Sequence, residues 1–175
     1  MSFSFVSYPN PVNEVTARVT AGGVVILAAL ALGLQVRWLA IALAIGFLLR
    51  VLSGPRFSPL ALLASRVIVP RLPFGPKPVA GPPKRFAQAI GLTFSLAAVV
   101  LFYAFGLDTA GYAVLGALTL AAVLESVFGV CLGCNAFALL MRVGVIPPEV
   151  CESCNDIWAA RTPPVPSPPL STPLS

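Results

Sequence analysis

Four long apolar runs, separated by short polar breaks, dominate the chain and predict four helices. The runs cover about 15–34, 38–50, 86–107 and 110–130. A straight membrane span takes about 20 mainly apolar residues, and the third and fourth runs meet this length. The first two are shorter and predict a tight hairpin across a thinned bilayer, with a re-entrant pair as the alternative.

The breaks divide the chain into segments. Residues 1–15 are polar and turn-rich, 16–53 form the first helical hairpin, and 86–130 form the second. Between the hairpins, 54–85 is rich in proline. Ser58 and Pro59 favour the start of a short interfacial helix over 59–69, and the later prolines predict an extended loop. The proline-rich tail, 162–175, is expected to be disordered.

The composition supports a membrane protein. Hydrophobic residues make up 58% of the chain and charged residues 10%, whereas soluble domains have about a quarter charged residues. We therefore predict an all-α membrane protein of four transmembrane helices in two hairpins. The chain has no histidine, so metal binding or acid–base chemistry falls to cysteine, carboxylate or tyrosine.

Basic residues are concentrated in the loop between the hairpins. Seven of the eleven Lys and Arg residues lie between Arg50 and Arg85, without an acidic residue among them. Because this block lies between apolar runs and has few aromatic residues, anionic lipid headgroups are expected to be its partner rather than nucleic acid. The residues expected to contact headgroups are Arg56, Arg66, Arg71, Lys77, Lys84 and Arg85.

The uneven distribution of basic residues also predicts the orientation of the protein in the membrane. With four spans, ten basic residues fall on one side and only Arg37 on the other, which by the positive-inside rule places both termini and the central loop in the cytoplasm. The N-terminus lacks the pattern of a cleaved signal peptide. We expect a plasma-membrane protein whose cysteines face a reducing compartment, where stable disulfides are disfavoured.

All four cysteines follow the last apolar run and form two Cys-x-x-Cys pairs. Cys131 and Cys134 are separated from Cys151 and Cys154 by sixteen residues. This spacing is typical of tetrahedral cysteine sites for zinc, and an iron site uses the same ligands. It predicts a four-cysteine module over 131–161, with a short helix between the pairs that stops near Gly144.

Thiol–disulfide exchange is the second chemistry that these pairs support. A Cys-x-x-Cys pair can close a disulfide, and a nearby cation or helix N-terminus lowers the pKa of one thiol. The spacing of the two pairs favours metal binding over thiol–disulfide exchange. A third interpretation treats one pair as small buried apolar residues.

Glu125 is the acidic residue of the last apolar run. It lies six residues before Cys131, about 9 Å along a helix, and an ionisable group in a membrane span is a candidate for function. The structural alternative is an ion pair with Arg18, Arg50 or the region of Asn13 and Glu14.

Several motifs resemble a family of bacterial membrane proteins known as domain of unknown function 4395. The motifs are PVNE at 11–14, GPRFSPL from Gly54, PPKRFAQAIG from Pro82, and LESVFGVCLGC followed by CESC. The resemblance covers about 8–156. It implies a multi-spanning protein without an assigned activity, whose genes often lie beside those of thioredoxin-like proteins and sulfurtransferases. It thereby implies thiol or sulfur chemistry for the cysteines.

Together these features predict a small membrane protein of the bacterial inner membrane that acts in thiol or sulfur redox, or that holds zinc or iron. The expected partner is a thioredoxin-like protein or a larger membrane complex. A structural accessory subunit is the alternative function, and a small-solute transporter with Glu125 in its path is another. With no general base near the thiols, a stand-alone enzyme is not expected.

Overall fold

Six helices contain most of the residues that the computed structural model describes, which are 11–54, 58–71, 73, 75 and 77–147. The helices are α1 (Glu14–Gly33), α2 (Trp38–Ser53), α3 (Pro59–Leu63), α4 (Gly81–Tyr103), α5 (Asp108–Val123) and α6 (Leu132–Arg142). Two-residue strands, β1 (Val12–Asn13) and β2 (Pro78–Val79), pair antiparallel. The all-α prediction is confirmed.

Two helices continue as wider turns. A π-helical turn, Leu124–Phe128, follows α5, and another, Ala64–Ile68, follows α3 and leads into a turn of 3₁₀ helix, Val69–Arg71. Three helices of the described chain are long and apolar enough to cross a membrane: α1, α4, and α5 with its π-helical turn. At 16 residues α2 is apolar but shorter, so the fourth span stays a prediction.

The start of α4 differs from the sequence prediction. It begins at Gly81, inside the segment predicted as a loop, and carries Pro82 and Pro83 in its first turn. Proline is tolerated there because the first backbone N–H groups of a helix have no intrahelical acceptor. By contrast, α1 starts as the sequence suggested, since the Asn13 side chain accepts a hydrogen bond from the Val15 N–H at 3.0 Å.

The four long helices form a closed ring. α1 and α2 are joined by a short turn, α2 packs against α4, α4 against α5, and α5 against α1. The core between them combines large residues such as Leu43, Phe102 and Leu115 with alanines such as Ala28 and Ala98. The small side chains let the helix backbones approach closely. Helix α6 lies against α4.

Charged residues mark the two ends of the ring. At one end Arg37, in the turn between α1 and α2, contacts Asp108 at the start of α5, with 2.6 Å between Nη2 and Oδ2. The other end holds the start of α4, the π-helical turn after α5 and the N-terminus of α6. Between the ends the outer surface is apolar, with Ile26 and Leu120 each 63% exposed, as a bilayer requires.

Candidate functional site

Cys131 occupies the N-cap position of α6. The π-helical turn ends at Gly129, whose φ of 70° reverses the chain, and Cys131 is in an extended conformation just before the helix. Its Sγ accepts a hydrogen bond from the Cys134 backbone N–H at 3.3 Å. The two-residue spacing thus places both sulfur-bearing residues in the first turn of one helix.

The two thiols differ in acidity. The hydrogen bond from the Cys134 side chain lowers the pKa of Cys131, and this effect outweighs burial. The same contact raises the pKa of Cys134, because this thiol donates to the sulfur of Cys131, and burial adds to the increase. Both cysteines are free thiols. Cys131 is therefore the residue that forms a thiolate first.

A buried ion pair lies beside the thiols. Lys84, in the first turn of α4, donates to Glu125 Oε1 at 2.9 Å, and the two side chains are 9% and 16% exposed. The positive charge of Lys84 favours the Cys131 thiolate, and the negative charge of Glu125 opposes it. The pair joins the start of α4 to the π-helical turn that follows α5, beside the cysteines.

This placement differs from the sequence expectations for both residues. Lys84 was expected at the lipid headgroups, but it is buried because α4 begins early enough to turn it into the bundle. Glu125 was expected to pair with Arg18, Arg50 or the region of Asn13 and Glu14. Arg18 instead donates to the Val127 carbonyl at 2.9 Å.

The other residues predicted to meet headgroups divide into three groups. Arg66, Arg71 and Lys77 are exposed, and their contact with lipid stays a prediction. Arg85 is half-buried and donates to the Val51 carbonyl at 3.1 Å. Arg56 lies outside the described residues.

A cavity of about 410 Å³ opens beside Cys131. It lies between the long helices and α6, and most of its walls are small or apolar side chains. The polar residues that line it are Arg50, Gln88 and Glu125, together with Cys131 itself. The Oε1 atom of Gln88 is buried without a hydrogen-bond partner. Cys131, although only 8% exposed, therefore borders an internal space.

The predicted four-cysteine module is described only in its first half. Cys151 and Cys154 lie outside the described residues, as do residues 148–150 just before them. Over the described ranges no group of three or more Cys, Asp or Glu residues is placed to hold a metal ion. Coordination of zinc or iron by the four cysteines stays a prediction. Gly144, with a φ of 80°, follows the end of α6 as expected.

Comparison with known proteins identifies the family of this chain. No curated protein and no solved structure matches the chain. The family described as domain of unknown function DUF4395 matches residues 12–142. This segment runs from β1 to the end of α6 and contains Lys84, Glu125, Cys131 and Cys134. The match confirms the resemblance drawn from the motifs, and the chain belongs to the DUF4395 family.

Proposed function

We propose that this protein is a membrane-bound dithiol protein whose Cys131 and Cys134 cycle between two thiols and a disulfide. The observation that carries the proposal is the hydrogen bond from the Cys134 N–H to the Sγ of Cys131 at the N-terminus of α6. The thiolate is the nucleophile in disulfide exchange, and helix N-termini and nearby cations stabilise it.

The reaction has two steps. The Cys131 thiolate attacks one sulfur of a substrate disulfide, which forms a mixed disulfide and releases the other sulfur as a thiolate. Cys134 then loses its proton and attacks the Cys131 sulfur, which forms the Cys131–Cys134 disulfide and releases the second substrate thiol. The protein has lost two electrons and the substrate disulfide has gained them.

The contrast in acidity supports this division of roles. The lowered pKa of Cys131 supplies the attacking thiolate, whereas the raised pKa of Cys134 keeps its proton until the neighbouring sulfur has lost its charge. Once Cys131 is in a mixed disulfide, it no longer accepts the hydrogen bond that holds the Cys134 proton. The second step thereby follows the first.

Before the next reaction, a second dithiol must reduce the Cys131–Cys134 disulfide. We assign this role to the Cys151–Cys154 pair or to a thioredoxin-like protein, both of which offer a second dithiol. We further place the protein in the plasma membrane with cytoplasmic termini, because ten of its eleven basic residues would then lie on the cytoplasmic side.

Metal coordination by all four cysteines is the competing function. It is supported by the spacing of the two pairs, which falls in the range of zinc sites. The two functions exclude each other on one sample, since cysteines held by a metal are not available as free thiols.

The test combines metal analysis with trapping of the mixed disulfide. Protein purified without oxygen should contain no stoichiometric zinc or iron and should have reactive thiols. Treated with a small disulfide, Cys134→Ser should accumulate a stable adduct on Cys131, whereas Cys131→Ser should accumulate little adduct on Cys134. About one metal ion per chain, or equal adducts in both variants, would refute the dithiol function.

A further inference from the structure

The cavity beside Cys131 extends from the thiol end of the bundle into its apolar middle. Ala117 and Glu125 both line it, and these residues are eight positions apart, or about 12 Å along a helix. Val24, near the centre of α1, lines it as well. The space therefore runs along the helices, at the depth where the hydrocarbon of a bilayer would lie.

The margin of the cavity reaches the apolar outer surface. Phe94 and Leu132 are lining residues, and they are 37% and 48% exposed. In a bilayer Phe94 faces lipid, because the surrounding surface of α4 is apolar as well, with Leu96 and Val100 exposed. A molecule dissolved in the membrane can thus enter from the side without passing through water.

The end of the cavity nearest to Cys131 is polar. Gln88 and Arg50 lie near the same end of the ring as Cys131, and the Arg50 guanidinium stacks on the Phe47 ring, 4.2 Å from its centroid. Gln88 has a buried amide whose oxygen lacks a partner. That oxygen accepts a hydrogen bond from a ligand hydroxyl, whereas the N–H groups of the same amide donate to a ligand carbonyl oxygen. The end of the cavity nearest to the thiol is therefore suited to a ligand oxygen that changes between carbonyl and hydroxyl.

We propose that this cavity binds the ring of a membrane-dissolved quinone, which accepts the two electrons of Cys131 and Cys134. The inference rests on the proposed dithiol function and adds a second oxidant, beside the substrate disulfide, for the same pair of thiols. A charged or strongly polar oxidant would lose its hydration in this apolar space at a high cost, whereas a quinone is uncharged. The volume of about 410 Å³ is in the usual range for small-molecule sites, roughly 300–1,000 Å³.

The reaction balances with the two thiols and one quinone. The Cys131 thiolate adds to a ring carbon, forming an S–C bond, and a carbonyl oxygen takes up the electron pair and a proton. Cys134 then attacks the Cys131 sulfur, so that the S–S bond forms and the S–C bond breaks. The ring keeps that electron pair and its second oxygen takes a proton. Two thiols have become a disulfide, and the quinone has become a quinol.

The experiment follows oxidation of the reduced full-length protein in lipid nanodiscs, without oxygen. The probe is decylubiquinone, whose fully substituted ring forms few lasting adducts with thiols. We expect one quinol for every two thiols lost, with the new disulfide mapped to Cys131 and Cys134 by mass spectrometry. Cys131→Ser should abolish quinol formation.

A bulky side chain in the cavity tests the site itself. Ala117→Trp should slow quinone reduction at least tenfold while the rate with hydroxyethyl disulfide, a water-soluble oxidant, changes less than twofold. Ala113→Trp is the matched control. It lies one turn away on α5 and is also exposed, but it does not line this cavity, so it should behave like the unsubstituted protein.

The other possible outcomes with the two oxidants and with Ala117→Trp each refute one part of the proposal. If hydroxyethyl disulfide oxidises the pair but decylubiquinone does not, the quinone inference is wrong and the dithiol function stands. If both oxidants fail, the dithiol function is wrong as well. If quinone reduction is unchanged in Ala117→Trp, the quinone does not bind in this cavity.

Discussion

Replacing Glu125 with Gln leaves the Lys84 ammonium buried beside a neutral amide. At the 2.9 Å separation of Nζ and Oε1, Coulomb's law with an effective dielectric constant of about 20 gives an attraction of roughly 6 kcal/mol. Desolvation of both charges offsets much of it. Loss of one partner from a buried pair typically costs about 3–5 kcal/mol.

We expect the lower end of that range, because the Glu125 side chain keeps 16% of its exposure and water can partly replace the lost contact. Glu125→Gln and Lys84→Met should each lower the free energy of unfolding by about 3 kcal/mol. The double variant leaves no unpaired buried charge and should lose no more than either single variant, so the coupling energy between the two residues is at least about 3 kcal/mol.

The assay is unfolding in mixed detergent micelles with a rising fraction of sodium dodecyl sulfate, followed by circular dichroism. The exposed pair Arg37 and Asp108 is the control, with side chains 49% and 41% exposed. Its double-variant cycle, with Arg37→Met and Asp108→Asn, should give a coupling below about 1 kcal/mol. A coupling of Lys84 and Glu125 no larger than that of this control would refute the reasoning.

Three further predictions concern the thiols and the glycines. Because the pKa of Cys131 is lowered, its alkylation by iodoacetamide should rise with pH through a midpoint below the usual cysteine value of about 8.5; a midpoint above that value would contradict the lowered pKa. Gly133→Ala would place a Cβ 2.6 Å from the Ala87 Cα and should lower the free energy of unfolding by about 1–3 kcal/mol in the same detergent assay. Gly116→Ala, with no atom within 4 Å of the new Cβ, is its control and should not destabilise the protein. Gly129→Ala places a residue with a side chain in the left-handed conformation at a φ of 70° and should lower the free energy of unfolding by about 1–2 kcal/mol. Gly129→Asn should lower it less, because asparagine adopts this conformation more readily. Equal losses in the two variants would contradict a backbone origin.

The helices could be predicted from the sequence because their signals are local. The long apolar runs located the four ring helices, and the first run begins within one residue of the start of α1. The start of α4 was missed because Pro82 and Pro83 were interpreted as breaking regular structure. The same residues are also typical of a first helical turn, and this signal was available in the sequence.

The site was only partly predictable because its contacts join distant parts of the chain. The Cys-x-x-Cys spacing located Cys131 and Cys134, but which thiol is more acidic depends on the N-cap geometry of α6. The partner of Glu125 is 41 residues away, and composition alone does not choose among several basic residues. Gly133 lies inside α6, where its missing side chain lets the helix approach Ala87, and this contact also joins residues far apart in the sequence.

The π-helical turn Leu124–Phe128 gives the chain room for a single deletion at this point. A π-helical turn holds an extra residue compared with an α-helical one, whereas each residue of an α-helix advances the chain by about 100°. Deleting one residue inside the π-helical turn would restore α-helical winding and leave Cys131 on nearly the same side of the helix. Deleting one residue from the regular part of α5 would instead rotate all that follows and turn Cys131 away from Lys84. Homologous chains that keep the thiol site should therefore tolerate a gap of one residue within 124–128 but not within the preceding turns of α5.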